Sequence, residues 1–78
     1  MKNGELRKLV VDYLAEEQSK LQVNSSRPYP AKLVAEAANG YAGALGKIVN
    51  SVLADLSALG IKCTYDKSKS PKVFVLHK

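Results

Sequence analysis

The chain has 78 residues, a length that buries only about 60% of its unfolded surface and leaves room for one domain rather than two. Hydrophobic residues make up 46% of it, enough apolar material for a core, which excludes a disordered chain or a repetitive fibre. Twelve Lys and Arg stand against seven Asp and Glu, a formal charge of +5 at pH 7 that favours an anionic partner such as nucleic acid.

The one cysteine, Cys63, cannot form an internal disulfide, which points to a reducing compartment. Cys63 and the one histidine, His77, fall short of the four ligands of a structural zinc site, and no cofactor is expected. No apolar run reaches the ~20 residues of a membrane span. Asp12, Glu16 and Glu17 interrupt any hydrophobic segment after residues 1–7, so no signal peptide is expected. The expected location is cytoplasmic, intracellular and nucleoid-associated, with no membrane contact.

Charge is unevenly placed. Residues 61–78 hold Lys62, Lys67, Lys69, Lys72 and Lys78 against Asp66 alone, whereas residues 1–60 are nearly neutral, with seven basic and six acidic side chains. A solvated face and an anion-binding surface would both look like this.

In chain order, Leu6, Leu9, Val10, Tyr13, Leu14 and Leu21 recur at spacings of three and four and predict a helix over residues 4–21. Pro28 and Pro30 make residues 22–30 a connector, with a very short strand at 27–29 as an option. Pro30 suits the start of a short helix over 31–38 whose apolar face is Leu33, Val34 and Ala37. Asn39 and Gly40 end it in a turn. Leu45, Ile48, Val49, Val52, Leu53, Leu56 and Leu59 predict a long third helix capped by Gly60. Alternating branched and aromatic residues at 61–65 and 73–76 predict a β-hairpin whose polar connection, 66–72, bears lysines. The expected fold class is α+β, one domain over residues 1–78.

Three helices followed by a hairpin is an order used by nucleic-acid-binding domains, in which the third helix can enter the ~12 Å major groove. Residues 35–41 (AEAANGY) and 48–61 (IVNSVLADLSALGI), above all Leu53-x-x-Leu56-x-x-Leu59-Gly60-Ile61 leading into a basic hairpin, resemble the winged helix-turn-helix family. The resemblance runs from Glu5 to Leu76 and rests on hydrophobic patterns that define the fold more than the ligand. It implies that the third helix is the recognition helix and that residues 66–72 are the wing.

On that helix Lys47, Asn50 and Ser51 are the candidates for DNA contact, since lysine bonds guanine acceptors, asparagine pairs with adenine and serine suits a phosphate or base edge. An ordinary solvated helix face would carry the same three residues. Gly43, Ala44 and Gly46 would let another backbone approach closely, either DNA or protein. In the wing, Lys62, Lys67, Lys69 and Lys72 can meet phosphates and release counterions, with Ser68 and Ser70 as added donors. Lysines on a hairpin also keep an edge strand from pairing with other chains. Arg27, Lys32 and Tyr41 are candidates for the DNA backbone, and Tyr29 is a further hydroxyl with a competing core role.

No catalytic constellation is recognisable, so the chain is not expected to be an enzyme. His77 lies beyond the last expected strand on a frayed terminus, and Cys63 reads as a small strand residue. The glycines at 40, 43 and 46 lack the strand and the Gly-Lys-Ser/Thr phrase of a phosphate loop. The leading expectation is a double-stranded DNA-binding transcriptional regulator without a small-molecule effector, with a homodimer on a palindromic site or a protein partner left open. The alternative is a winged-helix protein-interaction module serving as accessory subunit of a nucleic-acid-processing or ribosomal complex. A third reading is sequence-independent coating of DNA or RNA.

Overall fold

A computed structural model describes residues 3–38, 40, 42–68 and 72–78. The elements are α1 (Asn3–Ser19), β1 (Ser26–Pro30), α2 (Ala31–Ala37), α3 (Ala42–Gly46), α4 (Val49–Ala58), β2 (Lys62–Asp66) and β3 (Val73–His77). The class is α+β, with four helices among the described residues where the sequence predicts three.

Leu6, Val10 and Leu14, spaced by four, form the buried edge of α1 and are joined by Val11. Leu9 belongs to the expected stripe but is 40% exposed, because the neighbours of α1 lie on the 6-10-14 side. The helix stops at Ser19, two residues short of expectation. Lys20 and Leu21 donate three residues back, to the carbonyls of Glu17 and Gln18, which tightens the end into a turn.

In α2 the buried face is Ala31, Val34 and Ala35, continued by Ala38, instead of Leu33, Val34 and Ala37. The Ala31 amide donates to the Lys72 carbonyl at 2.8 Å, which fixes the start of α2 against β3, and Leu33 is left 49% exposed.

The long third helix expected from residue 45 is broken. Lys47 and Ile48 form a turn between α3 and α4, their amides donating to the carbonyls of Ala44 and Leu45. Ile48, at φ −117° and ψ 7°, leaves helical geometry. Leu45 and Ile48 are both buried, so a three-residue apolar spacing persists across the bend while Gly46 weakens the helix there. Leu59, the last residue of the expected stripe, lies past α4 and is 62% exposed.

The end of α4 is closed as Gly60 requires. Gly60 takes φ +78°, its amide donates to Ser57, and the Ile61 amide donates to Leu56, each at 2.9 Å. This is the Schellman pattern, which caps the free carbonyls and turns the chain into β2.

The sheet is antiparallel with strand order β1-β3-β2. The strand expected only over 27–29 is therefore a full edge strand of five residues, a position that tolerates Pro28 and Pro30 because an outward edge needs no amide donors. The register puts Tyr29, Phe74 and Tyr65 in one row across all three strands. Tyr65 and Phe74 have ring centroids 4.7 Å apart. Phe74, fully buried at the centre of this row, is worth about 1.5–3 kcal/mol in burial. Helices α1 and α4 pack on each other, α1 also on α2 and α4 also on β2. No polar side chain among the described residues is buried.

His77 is not on a frayed end. It closes the central strand, with Nδ1 2.8 Å from Ser26 Oγ and Nε2 3.3 Å from Thr64 Oγ1. The Lys78 amide then donates to the Ser25 carbonyl and the Asn24 amide to the Lys78 carbonyl.

Candidate functional site

Where α4 begins, the helices and the hairpin connection enclose a cleft of about 180 Å³ lined by Gly46, Lys47, Val49, Asn50, Tyr65, Lys67 and Lys72. Four residues singled out from sequence thus meet in one place: Lys47 and Asn50 from the α3–α4 turn and the first turn of α4, and Lys67 and Lys72 from either end of the β2–β3 connection. Three lysines and an asparagine line the cleft, and among the described residues no acidic one lines it.

The helix end adds to this field. No side chain caps α4 and its first turn carries no acid, so the partial positive charge of its free amides stands unneutralised beside the lysines. Farther along, Asp55 is held by Arg7 on α1, away from the cleft.

The break at Lys47–Ile48 sets Lys47 in the turn that precedes α4, off the helix that carries Asn50 and Ser51, yet still beside Asn50 in the cleft. Ser51 is half-buried and does not line the cleft. Asp66 Oδ1 accepts from both the amide and the hydroxyl of Ser68, at 2.9 and 2.6 Å. This local turn engages the Ser68 proton and shapes the connection.

Other candidates are placed elsewhere. Lys62 pairs with His77 at the far end of β2, and its odd separation from Tyr65 sends it to the opposite face of the sheet. Arg27 lies opposite Leu76, four register positions from the hairpin connection, with its guanidinium 5.7 Å from the centre of the Tyr29 ring. Tyr29 itself is a buried core residue whose ring meets Tyr13 edge-on. Lys32 is exposed in the first turn of α2, beside the residue bonded to Lys72. Tyr41 and Lys69 lie outside the described residues, as does Ser70.

Tyr65 is the cleft residue that the sequence pattern alone did not single out. The signal is its parity: Cys63 and Tyr65 share the face of β2 that turns toward α4, which could have placed it between helix and hairpin. Cys63 on that face is mostly covered, and burial pushes its thiol up to about 11.

Among the described residues no helix is long and apolar enough to cross a membrane, and no group of His, Cys, Asp and Glu is placed to hold a metal ion. Comparison with protein families, with curated proteins and with solved structures gave no match, so the site is interpreted from its own geometry.

Proposed function

We propose that the chain is a winged helix-turn-helix protein that binds double-stranded DNA as a transcriptional regulator. In this reading α2, the segment containing α3, and α4 supply the helix-turn-helix, and the β2–β3 hairpin is the wing. The carrying observation is the cleft that unites Lys47 and Asn50 with Lys67 and Lys72. A phosphodiester seated there meets three ammonium groups and the open amino end of a helix, while α4 lies along the adjoining major groove. The lysines supply affinity by releasing counterions, and Asn50, exposed in the first turn of α4, supplies a bidentate donor and acceptor for adenine.

The test is a titration of the purified chain against duplex DNA, single-stranded DNA and RNA over a range of salt. Preferential duplex binding that weakens steeply with salt is expected. Equal affinity for all duplex sequences would replace regulation by coating. Absence of duplex binding at low salt would overturn the reading in favour of the protein-interaction module.

A further inference from the structure

On another side of the molecule a groove of about 380 Å³ runs between α1 and the C-terminal half of α4. Lys8, Val11 and Asp12 line one wall and Ala58 and Leu59 the other, with Arg7 and Asp55 bridging them. Leu59, 62% exposed, puts a large apolar side chain into water at its rim.

The charges of this groove cancel. Arg7 and Lys8 balance Asp12 and Asp55, so the net +5 of the chain resides entirely elsewhere. Arg7 and Asp55 satisfy each other, whereas Lys8 and Asp12, one helical turn apart, have no ion-pair partner among the described residues. Two molecules of charge +5 repel over most of their surfaces. Contact between them is tolerated where the surface is neutral and complementary to itself, which is what a two-fold interface requires.

We propose that two copies of the chain pair isologously over this groove. Their α1 helices run antiparallel, Lys8 of each copy meets the partner's Asp12, and each Leu59 seats in the partner's groove. The groove uses residues 55–59 and the cationic cleft uses residues 46–50. Within α4 the nearest residues of the two, Asn50 and Asp55, are five positions apart, about 7.5 Å along the helix axis, and the groove and the cleft share no residue, so pairing leaves both clefts open. The proposal does not depend on what the cleft binds.

Sedimentation equilibrium of the full chain without nucleic acid tests it. The expected result is a concentration-dependent approach to the mass of a dimer. Lys8→Glu places carboxylates opposite each other at two symmetric positions and should raise the dissociation constant at least about tenfold. Combining it with Asp12→Lys should restore pairing, and Leu59→Asp should abolish it. Lys8, Asp12 and Leu59 are all exposed, and unchanged circular dichroism will show that the variants fold. A monomer at every concentration would overturn the proposal. So would a dimer indifferent to both Lys8→Glu and Leu59→Asp, or failure of the charge exchange to restore pairing.

Discussion

Arg7 grips Asp55 with two parallel hydrogen bonds, Nε to Oδ2 at 2.6 Å and Nη2 to Oδ1 at 2.7 Å, joining α1 to α4 across 48 residues of chain. The fork geometry fixes the rotation of one helix against the other, which a single-point contact would not do.

This pair predicts a particular acid response. Its hydrogen bonds and charge hold the Asp55 carboxyl below the ordinary 3.8. A carboxyl with a lowered folded-state pKa contributes stability that is present above the unfolded value and lost as pH falls through the folded one. Asp55→Asn should therefore melt below the parent at neutral pH, and the gap should close as pH drops below about 3.8. The pair is solvent-exposed, so the gap is small. Thermal melts of both proteins across the acid range check this, and a gap independent of pH would refute it.

The cleft predicts a division of labour among its residues. Lys67→Ala and Lys72→Ala together should weaken duplex binding for every sequence and flatten its salt slope, because the phosphodiester in the cleft loses two of its three lysines. Asn50→Ala should leave the slope alone and narrow the preference between sequences by about 1–3 kcal/mol. Filter binding over a salt series with matched and scrambled duplexes separates the two effects.

Gly60 predicts a backbone cost without a packing cost. A Cβ there would meet nothing within 4 Å, but φ is +78°. Gly60→Ala should lower unfolding stability by about 1 kcal/mol while leaving the structure intact. Urea denaturation measures it through a shifted midpoint at constant slope.

Cys63 predicts slow chemistry. With its thiol pushed up to about 11, the native chain at mildly alkaline pH should react with iodoacetamide at least about tenfold more slowly than the urea-unfolded chain. Between the ordinary 9.0 and about 11 the unfolded chain loses this proton first, so stability should fall as pH rises through that window. Cys63→Ala should flatten that decline.

The helical stripes of α1 and α4 and both strands of the hairpin were legible because one side of each element is buried and leaves a period in the sequence. The bend at Lys47–Ile48 was not, since Leu45 and Ile48 keep apolar spacing on both sides of it. Leu9, Leu33 and Leu59 read as core by side-chain chemistry, yet alanines at 31, 35 and 38 took the interior of α2 because close approach favours small residues. The full length of β1 was hidden by its prolines, whose tolerance depends on being at an edge. In the site, the lysines could be counted but not sorted. Strand parity and register separate Lys62 from Lys67 and Lys72, and both depend on how three distant segments pair.

The strand order has a consequence for the timing of folding. The outer strands β1 and β2 never touch; each pairs only with β3, which follows both in the chain. The β2–β3 hairpin closes locally, whereas contacts such as Ser26 with His77 span 51 residues, so loop closure over a long separation must precede the docking of β1. During synthesis the three-stranded sheet cannot form before β3 emerges, and until then the apolar faces of β1 and β2 lack their shared neighbour.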